Sequence, residues 1–229
     1  MSYQAAIFDL DGTLLDTLED IADSVNRVLR ARGFQSHKID AYRFFVGDGS
    51  RMLVKRALPE NERSDESVEQ CQSAFKKDYA NTWDAKTKPY NGIPELLDDL
   101  VQKGVRMAVC SNKPHAFTAL CVEKLLDRWC FEKVIGQSNR HPKKPAPDSA
   151  LAIARDMGVT PSEIMFVGDS GVDMQTAVSA GMMPVGAAWG FRPKEELLKN
   201  GCRFLANRPL DVLQILEAAY DRTVEAEDS

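Results

Sequence analysis

Short runs of mostly apolar residues recur along the chain at 5–8, 105–110, 164–167 and 183–188, with amphipathic segments between them. Runs this short, without strict polar alternation, read as strands buried on both faces. Such strands belong to parallel sheets covered by helices. A parallel connection needs a crossover, and helical patterns supply it at residues 93–101, 114–126, 148–157 and 172–180, with Gly158 and Gly181 ending the last two. A weaker strand is expected at 133–136 and a closing helix at 210–219. The fold class is therefore α/β, a doubly wound parallel sheet with helices on both faces.

The stretch after the first strand breaks this rhythm. Thr17 is placed to cap a helix with Asp20 three residues on, and Leu18, Ile21, Ala22, Val25, Val28 and Leu29 keep helical spacing until Gly33. A shorter helix is expected over 50–58, before Pro59, and another carries Val68, Cys71, Phe75 and Tyr79. That is too long and too helical for a simple crossover. We expect an inserted helical subdomain over 16–85 and an α/β core over 1–15 and 86–229. Residues 225–229 are acidic and polar, and should fray.

Composition limits the partners. A net charge of −5 with no basic run argues against nucleic acid. No apolar run is long enough to span a bilayer and no signal peptide precedes the first strand, so the chain reads as cytoplasmic and without a membrane partner. Cys71, Cys110, Cys121, Cys130 and Cys202 form no C-x-x-C pair and read as free thiols. His37, His115 and His141 follow no metal or triad spacing and read as surface or capping residues. Trp189, near a strand end, is placed either to face a site or to pack in the core.

In an open α/β sheet, ligands bind beyond the carboxyl ends of the strands. There the first strand delivers Asp9 and Asp11, the second Ser111, Asn112 and Lys113, and a later one Asp169 and Ser170. Lys144 lies in a loop, "KKPAPD". Singly, a Ser-Asn pair reads as a turn, a Gly-Asp pair as a helix cap, and a loop lysine as a solvated charge. Twin aspartates at a buried strand tip are different, because they need a cation, a hydrogen-bond network or a shared proton. Asp9, Asp169 and Asp173 suit a hard cation such as magnesium (Mg2+). One aspartate could then attack phosphorus while the other exchanges protons with the leaving oxygen and with water. Ser111, backbone amides and Lys144 would hold the equatorial oxygens.

These residues resemble the haloacid dehalogenase (HAD) superfamily, in its phosphatase branch. "DLDGT" matches its first motif, "SN" after a strand its second, "KPAP" its third and "GDSGVD" its fourth, in order along essentially the whole chain. The resemblance implies a Rossmann-type core with a mobile helical cap. It also implies Asp9 as nucleophile and magnesium ligand, and Asp11 as acid/base with its carbonyl on the metal. Asp169 would be a direct ligand, Asp173 a support, and Lys144 a counter-charge. Thr13 and Ser111 would position the phosphoryl group, with Asn112 supporting them. "FVGDGSRMLVKRAL" and "AAWGFRPKEELLKNGCRFL" are similar to phosphoglycolate phosphatases. "GQSNRHPKKP" departs from that group in lacking an acidic pair ahead of the lysine, and Asp48 occupies a variable position.

The substrate expected is a small phosphorylated metabolite, 2-phosphoglycolate first, for a monomer or homodimer. Gly47 to Ser50 lie at a helix start, and Gly47 and Arg51 are the candidate contacts for a small carboxylate, with Lys55 one turn on. Other readings stay open. A dehalogenase would not need Asp11. A phosphomutase would keep both aspartates, a pyrophosphatase or nucleotidase would share the architecture, and a phosphonate hydrolase would need a Schiff-base lysine. A phosphoaccepting signalling module would carry its acceptor on a middle strand and no helical insertion.

Overall fold

The computed structural model describes residues 3–217. β1 (Ala5–Phe8) turns tightly into β2 (Leu15–Asp16), which leads to α1 (Leu18–Ala31), α2 (Tyr42–Phe45), α3 (Ser50–Ala57) and α4 (Asp65–Tyr79). β3 (Lys88–Pro89) returns antiparallel to β2. Helices and strands then alternate: α5 (Ile93–Gln102), β4 (Arg106–Pro114), α6 (His115–Leu125), β5 (Phe131–Gln137), α7 (Asp148–Met157) and β6 (Ile164–Gly168). The order continues with α8 (Gly171–Ser179), β7 (Met183–Ala187), α9 (Lys194–Lys199) and β8 (Phe204–Ala206). Residues 211–217 are helical, and the rest of the helix expected over 210–219 lies outside the described residues, as does the tail at 225–229.

Six strands form one sheet in the order β5-β4-β1-β6-β7-β8, and all its pairs are parallel. Successive side chains of a strand point to opposite faces. Ala6, Phe8, Met107, Val109, Met165 and Val167 pack on one face, with Leu96 and Leu97 of α5 and Cys121 of α6. Ala5, Ile7, Ala108, Cys110, Ile164 and Phe166 pack on the other, with Ile153 of α7 and Ala177 of α8. β1, at the centre, is buried throughout. β8 and α9 were not anticipated: a three-residue strand carries too little pattern to separate it from a loop.

The helices between β2 and β3 pack on one another. Asn26, buried within α1, accepts from the Tyr42 hydroxyl at 2.8 Å and from the His37 backbone N–H at 2.9 Å, and donates to the His37 carbonyl at 2.9 Å. His37 is thus a half-buried packing residue, edge-on to Tyr42 and Phe45, and not a surface group. The capping pair read at Thr17 and Asp20 does not form: the Thr17 hydroxyl is buried with no partner, and Asp20 turns elsewhere. It accepts the backbone N–H groups of Lys86 and Thr87 at 2.9 and 2.8 Å and the Thr87 hydroxyl at 2.8 Å. Asp20 therefore ties the start of the insertion to its end, beside the β2–β3 ribbon through which both connections pass.

Among the described residues, no helix is long and apolar enough to cross a membrane. All five cysteines are free.

Candidate active site

β1 lies between β4 and β6, where the strand order reverses, and the carboxyl ends of these three strands converge. The chain leaves β1 at Asp9, whose N–H donates to the Val167 carbonyl of β6 at 2.9 Å. It then turns through Gly12, held at φ +86°. A side chain at Gly12 would collide with the Asp169 carboxylate, and one at Gly190 would collide with both Asp169 and the Gly12 carbonyl. Two glycines thus let three segments close around one aspartate.

Asp9, Asp169 and Asp173 bring carboxylate oxygens within 4.8 Å of one another. Lys144 sits among them, its side chain 2% exposed. Its ammonium lies 2.6 Å from Asp173 Oδ1 and 2.9 Å from Asp9 Oδ1, and donates to the Cys110 carbonyl at 2.8 Å. Asp173 is also engaged on its other side, accepting from the Ser170 hydroxyl at 2.6 Å and the Ser170 N–H at 3.0 Å in a capping box at the start of α8. Asp169 accepts from the Phe191 N–H at 2.7 Å and the Thr13 hydroxyl at 3.3 Å.

Burial pushes the Asp9 carboxyl up to about 6; Lys144 opposes this, while Asp173 and Asp11 reinforce it. Asp169 is raised well above the usual carboxylate range, by burial first and then by Asp173 and Asp9. Burial works against the Lys144 ammonium, but Asp173 and Asp9 hold it above the ordinary lysine range. Negative charge is in excess here. Asp9 Oδ1 is buried against the Lys144 ammonium at 2.9 Å, and Asp173 shares that ammonium. Three clustered carboxylates with one ammonium among them, an all-oxygen donor set, fit a hard divalent cation.

Asp11, Ser111, Asn112 and Gly47 line one cavity with Asp9 and Asp169. Asn112 accepts the Lys144 N–H at 2.9 Å and donates to the carbonyls of Lys144 and Gly47, at 3.1 and 3.0 Å. Val46, Gly47 and Asp48, in the loop before α3, each offer a carbonyl to a core donor: Arg192 at 3.0 Å, Asn112 at 3.0 Å and Lys143 at 2.9 Å. The insertion is thereby held down over the strand ends by its backbone.

Two expected contacts fall elsewhere. Arg51 points away: it pairs at 2.5 Å with Asp65, which is almost fully exposed, and does not line the cavity. Thr13 is fully buried, with its hydroxyl on Asp169 and its carbonyl accepting the Trp189 indole N–H at 3.0 Å, so it braces the acidic cluster from behind. Because an exposed ion pair contributes little, Arg51→Ala is expected to change kcat/KM by less than about twofold. Steady-state kinetics on the purified variant check this.

Sequence reading put Lys113 at the strand tip without giving it a role, and did not anticipate Tyr79 and Arg192 as cavity residues. Lys113 stands two residues after Ser111 in β4, in a stretch where the pairing with β5 is irregular. Tyr79 carried no signal in the sequence, since only the folded insertion brings it near, whereas Arg192 follows the carboxyl end of β7, where the strand-end rule applies.

Comparisons with known proteins agree with this fold. Residues 6–187 match the family model of haloacid dehalogenase-like hydrolases. A phosphoglycolate phosphatase of Pseudomonas putida is 36% identical over 189 residues, covering 81% of this chain and 69% of the relative. One of Aquifex aeolicus is 30% identical over 211 residues, covering 92% and 95%. A crystal structure from Lactobacillus delbrueckii subsp. bulgaricus, which carries a provisional phosphoglycolate phosphatase name, superposes with a TM-score of 0.88 at 30% identity, covering 94% and 99%. The chain belongs to the haloacid dehalogenase-like hydrolases, and within them it is a phosphatase that hydrolyses phosphoric monoesters.

Proposed function

We propose that this phosphatase hydrolyses 2-phosphoglycolate, or a similarly short phosphorylated acid, through an aspartyl-phosphate on Asp9. The observation that carries the mechanism is that two aspartates face one cavity with different partners, Asp9 against Lys144 and Asp11 against Lys113. In this reading an Asp9 oxygen attacks phosphorus, the bond to the leaving oxygen breaks, and Asp11 gives that oxygen a proton. Water then gives a proton back to Asp11 and attacks phosphorus, which breaks the bond to Asp9 and releases phosphate. Ser111 holds a phosphoryl oxygen, and Lys144 counters charge on Asp9. Asp9, Asp169 and the Asp11 carbonyl would hold magnesium, with Asp173 in support; the ion would supply positive charge against the phosphoryl oxygens.

Residues 16–85 act in this reading as a cap that excludes large substrates and bulk water. Arg192, whose side chain is 13% exposed, lines the cavity near Gly47 and offers the positive charge for a substrate carboxylate that Arg51 does not. The names of the relatives support phosphoglycolate as the first substrate to test. The test is a phosphate-release panel in which phosphoglycolate gives the highest kcat/KM among phosphoglycolate, hexose phosphates, nucleotides and pyrophosphate. A clear win for any of the other three rejects the substrate.

The metal carries its own prediction. With Asp9 raised to about 6, the folded metal-free protein binds this proton more tightly than the unfolded chain does. The contribution to stability is therefore complete below about pH 4 and declines by about 3 kcal/mol as pH rises through about 6. A cation must displace that proton, so magnesium is expected to raise Tm clearly near pH 8 and little near pH 5. Chelator should stop turnover reversibly. Thermal melts with and without magnesium across pH check the first claim. An equal magnesium shift at both ends would remove Asp9 from the metal site.

A further inference from the structure

Lys113 takes no part in the chemistry outlined above, yet its side chain is only 4% exposed. Its ammonium donates to Asp11 Oδ1 at 2.9 Å and to the Tyr79 hydroxyl at 2.9 Å, and sits 4.9 Å from the centre of the Tyr79 ring. Asp11 has no other side-chain hydrogen-bond partner among the described residues. We propose that Lys113 is a positioning residue for Asp11, and that Tyr79 makes this positioning depend on the seated cap. The proposal rests on the reading of Asp11 as the acid/base.

The geometry supports each half. A buried ammonium is costly unless it is fully partnered, so Lys113 is held to these two acceptors and does not sample the cavity freely. Its backbone is fixed as well: the Thr118 hydroxyl donates to the Lys113 carbonyl at 3.1 Å, and Gly136 of β5 passes too close to that carbonyl to carry a side chain. With Oδ1 anchored, the rotation of the Asp11 carboxyl is set and Oδ2 is left for the leaving oxygen. A proton donor must lie within hydrogen-bond reach of its target, and a misplacement of about 1 Å can cost on the order of 100-fold.

Tyr79 is the last residue of α4, in the insertion, and Asp11 follows β1, in the core. The Tyr79 ring is stacked on Phe75 and edge-on to Phe117 of α6, at 5.2 and 5.4 Å between ring centres. The phenol therefore reaches Lys113 only when α4 rests on α6. A cap lifted from the core would leave the ammonium with one partner and the carboxylate less firmly aimed.

Leaving groups separate positioning from other roles. Ethyl phosphate releases an alkoxide that needs a proton, whereas 4-nitrophenyl phosphate releases a phenolate that does not. Phosphoglycolate releases an alkoxide and also bears a carboxylate. For Lys113→Met, kcat/KM is expected to fall at least about tenfold on ethyl phosphate and phosphoglycolate, and less than about threefold on 4-nitrophenyl phosphate. Tyr79→Phe keeps the ring packing and should show the same pattern at smaller size; it carries the test alone if melting shows that Lys113→Met does not fold. Equal losses on all three esters, no loss, or a loss confined to KM for phosphoglycolate would each overturn the proposal, the last by making Lys113 a carboxylate reader. Asp11→Asn, run in parallel, separates the two levels. If it still hydrolyses ethyl phosphate, the acid/base reading fails; if it is inactive while both other variants match wild type, only the positioning role fails.

Discussion

Asp9→Asn is expected to lose turnover by on the order of 10⁴–10⁶-fold, the range seen when single members of a catalytic triad are removed. The amide is nearly isosteric with the carboxylate but does not attack phosphorus, and no other carboxylate can replace it. Asp173 is spent on Lys144 and the Ser170 cap, Asp169 is turned to Phe191 and Thr13, and Asp11 is held by Lys113. The same substitution should not harm the fold. Among the described residues, Asp9, Asp11 and Asp173 form ion pairs only with Lys113 and Lys144, and Asp169 forms none, so neutralising Asp9 relieves repulsion. In metal-free buffer the variant is expected to melt at or above the wild-type temperature. Phosphate release together with a circular-dichroism melt checks both halves. A folded variant within about tenfold of wild type would exclude Asp9 as nucleophile.

The fold class was legible because its signal is local. Each central strand is a short apolar run, each crossover helix has its own period, and glycines at 158 and 181 mark two helix ends. The strand tips were legible for the same reason, since Asp9 and Asp169 follow directly on buried strands and Ser111 lies in the last residues of one. What failed was partner choice. Asp20 has the spacing of a capping residue, but donors 66 and 67 residues later claim it. Arg51 has the position of a substrate contact, but Asp65 is nearer. Lys113 meets Asp11 across 102 residues of chain, a pairing that no window on the sequence contains. Side-chain types were readable; which of them meet was decided by the sheet order and by how the insertion sits.

Lys144→Met should show the largest loss of stability. Among the described residues, Lys144 is the one cation in contact with both Asp9 and Asp173, and its ammonium also holds the Cys110 carbonyl in the buried middle of β4. Methionine matches the length of the stem, so the deficit is electrostatic, and it includes the approach of the ammonium to the Phe166 ring at 5.6 Å. Removing one partner of a buried ion pair leaves an uncompensated charge, at a cost of about 3–5 kcal/mol. In a protein of this size that corresponds to a fall in Tm of roughly 6–20 °C. The sign of its pH dependence follows from Asp9. Lys144 opposes the rise of that carboxyl to about 6, so without the lysine the folded-state value climbs further from the unfolded one. A carboxyl raised in the folded state favours folding when protonated and disfavours it when ionised. The gap in Tm between wild type and variant is therefore expected to widen as pH rises from about 5 to about 8 and to narrow again on acidification. Melts of both proteins in chelator across that range measure it. A gap that does not vary with pH would mean that Lys144 acts through the Cys110 carbonyl and packing, and that the acidic cluster tolerates its own charge without it.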